Sequence, residues 1–264
     1  MRTLFVFAHP DLRSLNGSLL REAVNYLKSK GNEVKISDLY RMNWKAVLNE
    51  DDFQTHEKGT RLRLLDESAE SFKQNCIPED VLQEQEKMKW ADVVIFQFPL
   101  WWYSMPAIMK GWVDRVFTAG FGYKTRGHSG HGDVPDKFGD GMMSGKRAMI
   151  LTSVSGKKTW FMERGIDGSI DDILFPINHG ILFYTGFEVV PPMVVYSADR
   201  ASDDYFQNTL DELKYRLDNI QTMDFIHYRK QISGDYEPST LLLRPDIEEP
   251  GTHGFDLHIT KNKK

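Results

Sequence analysis

The chain has one cysteine, Cys76, in 264 residues, which excludes an internal disulfide and any cysteine-built zinc site. No apolar run approaches the roughly 18 residues of a membrane span. The apolar part of MRTLFVFAHPD is also too short for the core of a signal peptide. Positive charge is not in excess: 33 Lys and Arg against 38 Asp and Glu leave a formal net charge of -5, and no basic surface for nucleic acid. No G-x-G-x-x-G or Walker lysine follows the first strand-like segment, and no G-x-S-x-G elbow occurs. A disulfide scaffold, a membrane span, nucleic-acid binding and a serine hydrolase are therefore set aside. A cytoplasmic α/β protein is the expectation.

Aromatic residues, by contrast, make up 12% of the chain, and apolar segments recur in order. TLFVFA (3–8), EVKISDL (33–39), DVVIFQF (92–98), RAMILTS (147–153) and EVVPPMVVY (188–196) read as strands, the last bulged or near an edge because of its two prolines. Between them lie helical patterns. Leu19, Leu20, Ala23, Val24 and Leu27 share one face, stopped by Gly31. Residues 78–91 begin with Pro and acids, and 106–118 form a third helix. Residues 169–186 are helical with kinks at Pro176 and Gly180, and 201–220 place Tyr205, Leu210, Leu213 and Leu217 together. Residues 40–77 are irregular and polar, helical at most around TRLRLLDESAESFKQ. The alternation predicts a doubly wound, flavodoxin-like α/β sandwich: a five-stranded parallel sheet in the order 2-1-3-4-5, with helices on both faces. Residues 1–222 form this domain, and 223–264, rich in Pro and Gly, read as a C-terminal extended arm.

In such a sheet, ligands bind beyond the carboxyl ends of the strands, which brings loops 9–16, 99–105 and 153–168 to one rim. The first, HPDLRSLN, opens a helix with Ser14 and Asn16 positioned as caps. It can bind a phosphate on its backbone N–H groups, with His9 and Arg13 beside it, or it can merely cap the helix. The second, PLWWYSM, holds Trp101, Trp102 and Tyr103 where a connection normally holds Gly, Asn or Asp. Such a loop suits a flat conjugated ligand, or else fills a core or subunit interface. In the third, SVSGKKTWFMERGIDGS, the N–H groups at 155–157 can approach a ring edge that gains negative charge; Lys157 and Lys158 also read as a solvated pair. His128, His131 and Asp133 in GHSGHGD form a possible metal set, but nothing flanking them fixes ligand geometry, so the loop reads as a lid and no metal is expected.

AHPDLRSLNGSL, ADVVIFQFPLWWYSMPAIMKGWVDRVF and SGK with GIDGSIDDILFPINHGILFYTGFEV resemble the NAD(P)H:quinone oxidoreductase (DT-diaphorase) family over most of residues 1–220. The resemblance implies FAD held non-covalently (FMN is the lesser alternative), NAD(P)H as co-substrate, a quinone or similar small aromatic acceptor, and a homodimer with sites at the subunit interface. It assigns His9, Arg13, Ser14, Leu15, Asn16 and Ser18 to the FAD phosphates, and Pro99, Leu100, Trp101, Trp102 and Tyr103 to the flavin ring. Ser153, Val154, Ser155 and Gly156 fall on the pyrimidine side of the flavin; Trp102, Tyr103, Tyr123 and Phe161 face the substrate, Tyr123 across the dimer. The mammalian family members carry a Tyr and a His in the third loop, assigned to charge relay; Phe161 and Asp167 stand there in this chain. A phenylalanine has no proton to give, so Lys157 or the loop amides become the candidate stabilisers of the reduced flavin, and Asp167 acts only if burial raises its pKa. Two functions follow: a reductase working by alternating hydride transfers, or a flavin-binding auxiliary subunit with weak turnover.

Overall fold

A computed structural model describes residues 1–124 and 137–260. Strands β1 (Arg2–Phe7), β2 (Glu33–Asp38), β3 (Val93–Pro99), β4 (Arg147–Ser153) and β5 (Glu188–Val195) pair in the order β2-β1-β3-β4-β5, as expected. Every pairing is parallel. β3 is buried along its whole length, as the unbroken apolar run requires of a central strand covered on both faces. With β2, β5 is one of the two edge strands. Its register against β4 shifts between Met149 and Leu151, which lets Pro191 and Pro192 sit in the sheet without a ladder N–H.

The α-helices are α1 (Leu15–Ser29), α2 (Leu64–Lys73), α3 (Glu79–Trp90), α4 (Ala107–Val116), α5 (Ile170–Ile177) and α6 (Asp203–Asn219). One core packs Leu19, Ala23 and Leu27 of α1 and Leu213 and Leu217 of α6 on one face of the sheet. The other packs Met88, Met109, Trp112, Leu174 and Leu182 on the opposite face. The kink expected at Pro176 takes a definite form. Pro176 cannot donate a helical bond, and directly after α5 the chain widens into a π-helical turn, Asn178–Phe183, in which Tyr184 N bonds to His179 O.

Two details differ from the sequence reading. Tyr205 lies on the rim of α6 rather than in its apolar stripe, because its hydroxyl is drawn to Tyr196 O at 2.8 Å. Asn16 is not a cap: Ser14 caps α1 by accepting from Gly17 N, while Asn16 turns inward and is buried. The possible metal set at His128, His131 and Asp133 lies outside the described residues. Among the described residues no group of three or more His, Cys, Asp or Glu is placed to hold a metal ion, and no helix is long and apolar enough to cross a membrane.

Candidate active site

The three loops meet at the carboxyl end of β1, β3 and β4. Buried polar bonds hold them together: Asn16 Nδ2 donates to Ser153 Oγ at 2.8 Å, and Gln97 Nε2 of β3 donates to Asn16 O at 2.7 Å. Leu100 N bonds to Ser153 O at 2.9 Å, and the His9 and Trp101 rings lie 6.3 Å apart. Asn16 thus positions the first loop against the third.

In the first loop, His9 Nδ1 accepts from Asp11 N at 3.0 Å, so this histidine closes the turn. Arg13 points to solvent and pairs with Asp11, which holds the Asp11 carboxyl well below the usual range. Ser14 caps Gly17, and Ser18 N bonds to Ser14 O. The N–H groups of Leu15 and Asn16 take no acceptor among the described residues. That leaves two donors at the positive end of a 15-residue helix, which suits a phosphate.

The aromatic loop has a backbone its composition hides. Trp101 and Ser104 exchange two hydrogen bonds, 3.0 and 3.1 Å, as in a two-residue hairpin. The residues between them, Trp102 and Tyr103, have φ of 51° and 59°. This is the pattern of a type I′ turn, whose central positions ordinarily carry Asn or Gly; in bulky residues it costs on the order of 1–3 kcal/mol each. Trp102 is 95% exposed and Tyr103 54%, so burial of these rings does not offset the strain within one protomer.

Leu100, Trp102, Tyr103, Val154, Ser155, Gly156, Trp160, Phe161 and Asp167 line one open cavity of about 230 Å³. Gly156 is required by close approach: a Cβ there would lie 2.7 Å from Phe161 Cε2 and 2.9 Å from Trp160 Cε3. Phe161 is buried, with its ring 5.9 Å from that of Tyr196. Asp167 accepts from Tyr103 Oη at 2.8 Å, and that bond raises the tyrosine pKa. The N–H groups of Ser155, Gly156 and Lys157 have no acceptor among the described residues. These free donors beside a rim of aromatic rings fit the heteroatom edge of a flat ligand.

Most of the ring-side residues proposed from sequence therefore gather in one place. Pro99 and Ser153 stand behind the cavity at the buried ends of their strands. Lys157 is exposed and does not line the cavity. Tyr123 lies elsewhere on its own chain, against Tyr184 at 5.8 Å, and on the wall of a separate cavity of about 260 Å³ beneath α2. The charged residues of that second cavity are all paired, Asp52 with Arg115 and Asp114 with Lys110. Sequence reasoning missed Trp160 and Tyr196. The Thr-Trp-Phe run after the lysines was the available signal for Trp160; nothing in the sequence marks Tyr196.

Residues 1–217 match a family described by its flavodoxin-like fold. A ribosyldihydronicotinamide dehydrogenase-like protein of Penicillium crustosum is 47% identical over 258 residues, covering 98% of this chain and 95% of its own length. NAD(P)H dehydrogenase [quinone] 1 of Rattus norvegicus is 33% identical over 98% of this chain and 92% of its own. Among solved structures, a Klebsiella pneumoniae protein assigned as a quinone reductase superposes with a TM-score of 0.94 at 45% identity, over 98% of this chain and all of that one.

Proposed function

The chain belongs to the flavodoxin-like-fold family and, within it, to the NAD(P)H:quinone oxidoreductases; from that premise we propose that it is an FAD-dependent reductase of quinones or related flat acceptors. The observation that carries this reading is the cavity at the carboxyl end of β3 and β4, where aromatic rings, Gly156 and unused backbone donors surround a space open on one side. Bound flavin would supply the chemistry, taking a hydride from NAD(P)H and passing one to the acceptor in two successive half-reactions.

The residues present suit that group. The amides of Leu15 and Asn16, with His9 and Arg13 alongside, would hold its phosphates. Leu100, Trp102 and Tyr103 would pack on the ring, and the amides of Ser155, Gly156 and Lys157 would face its pyrimidine edge, where donors stabilise added negative charge. The lysine side chain has the weaker claim on that role, because it stands outside the cavity.

A homodimer completes the site. Trp102, Trp160, Met162 and Ile166 are exposed apolar side chains on the two rim loops, the kind of surface a second protomer would cover. Tyr123 can meet an acceptor only on a second protomer. Residues 223–264 are read as an extension of the 1–222 domain, and the cytoplasm as its compartment.

The test is spectroscopic. Purified protein should be yellow, bleach under anaerobic NADH or NADPH, and recover its colour on adding a quinone; heat-released flavin should be FAD, and sedimentation should give a dimer. Colourless protein that takes up no flavin would overturn the proposal. Yellow protein that does not bleach would favour the auxiliary subunit, for which Phe161 and Asp167 are the argument.

A further inference from the structure

The aromatic and third loops are tied at their base by Leu100 N to Ser153 O, and the bond from Tyr103 Oη to Asp167 Oδ1 ties them again at the cavity mouth. Asp167 is fixed by its own backbone, whose N–H donates to Trp160 O at 3.0 Å, in a loop further closed by Gly165 N to Met162 O and Gly168 N to Gly165 O. Tyr103 sits in the second left-handed position of the Trp101–Ser104 turn. We infer that the Tyr103–Asp167 bond is a latch: it stabilises a turn that neither residue type nor burial favours, and so sets the Trp102 and Tyr103 rings over the ligand.

Two bulky residues at positive φ disfavour the turn by a few kcal/mol. The two Trp101–Ser104 bonds stand at the protein surface, where a neutral backbone bond contributes only about 1 kcal/mol. A phenol donating to a carboxylate is stronger, and this one spans 64 residues of sequence, so it ties the turn to a different element rather than to itself. The bond also decides what the rim offers. A phenol has one proton, and here it is committed to Asp167, so the Tyr103 oxygen presents only lone pairs to a bound molecule. Tyr103 and Asp167 are thus positioning residues for the acceptor, and the third loop, with Phe161 buried against Gly156, gives the cavity no phenol of its own.

What the latch positions rests on the flavin-site reading; the latch itself does not. Three variants separate these: Tyr103→Phe, Asp167→Ala, and Asp167→Asn, which keeps an acceptor oxygen. Hydrogen exchange at the amides of Trp101 and Ser104 should quicken about three- to tenfold in the first two and by a smaller factor in the third, whose neutral acceptor keeps a weaker bond. Equal exchange in all three would overturn the latch, whether or not flavin is bound. In flavin-loaded protein the quinone KM should rise by a larger factor than kcat falls in Tyr103→Phe and Asp167→Ala, with Asp167→Asn restoring it in part. Faster exchange with an unmoved KM would overturn the positioning role. Wild-type protein that fails to bleach with NAD(P)H would count against the reductase reading alone.

Discussion

Trp102 stands at φ 51° with its ring 95% exposed, so fold stability does not account for a tryptophan there. Glycine adopts that conformation freely, at the cost of some unfolded-chain entropy. Trp102→Gly should therefore leave the urea midpoint unchanged or raise stability by up to about 1 kcal/mol, while flat acceptors bind roughly three- to tenfold more weakly for want of the ring. A loss above about 1 kcal/mol would mean that the indole supports the fold after all. Gly156 behaves in the opposite way. An added Cβ at 2.7 Å from Phe161 Cε2 must push that ring and Trp160 into the cavity. Gly156→Ala should cost about 1–3 kcal/mol of stability. It should also lower the flavin retained per protomer after dialysis, and full retention would contradict the placement of the flavin beside this loop.

Among the elements, α4 follows the aromatic turn directly and is fastened by one side chain. Buried Arg115 donates to Asp52 Oδ1 at 2.8 Å, to Asp80 at 2.6 and 3.0 Å and to Lys45 O at 3.1 Å, and its guanidinium lies 4.7 Å from the Trp44 ring centre. It thus joins α4 to the 44–52 segment and to the first turn of α3. Arg115→Met breaks a buried ion pair, leaving Asp52 with Lys45 and the Asn49 amide alone, and should lower stability by about 3–5 kcal/mol. Burial pushes the Asp52 pKa up, but bonds from Asn49 N, Lys45 and Arg115 outweigh it and hold the group below its ordinary value. Its ionised form therefore contributes stability above the usual carboxylate pKa of about 4, and that contribution is lost as the pH falls through the lower folded value. The stability gap between wild type and Asp52→Asn, measured in urea, should narrow from pH 5 to pH 3; a constant gap would sink the assignment. This network also shows where sequence stops being legible. The five strands and the stripes of α1 and α6 were readable because each rests on apolar spacing within a few residues. The hydrogen bonds of Arg115 join positions 35 to 70 residues apart. The left-handed turn was hidden because Trp and Tyr occupy positions where Gly or Asn would have announced it. Asn16 looked like a cap because its bond to Ser153, 137 residues away, has no local trace.

For the molecule as a whole, residues after α6 are a clasp on the domain. Ile226 N bonds to Val189 O at 2.8 Å, Arg229 N to His258 O at 2.8 Å and Thr260 N to His227 O at 2.7 Å, which folds the arm back on itself beside β5. The Arg229 guanidinium gathers Asp235, Glu248 and Leu257 O. Phe255 of the arm stacks on Phe175 at 4.1 Å, Phe175 on His179 at 4.5 Å, and His179 on Phe138 at 4.9 Å, so a histidine sits inside the ladder that attaches the arm to the domain. Burial, with His258 5.5 Å away, lowers the His179 pKa to about 4; burial and then Arg229 also lower that of His258, whose Nδ1 lies 2.9 Å from Tyr236 Oη. Both imidazoles take up protons more readily in the unfolded chain, where the ordinary value is about 6.5. Their neutral forms therefore stabilise the clasp fully above about pH 6.5, and that stability is lost as the pH falls towards their lower folded values, about 4 for His179. Thermal denaturation should show Tm falling from pH 7.5 to pH 5, with limited proteolysis reaching the arm first. His179→Phe keeps a ring in the ladder and removes the proton site, so it should flatten the descent; an equally steep descent in that variant would place the acid sensitivity elsewhere in the fold.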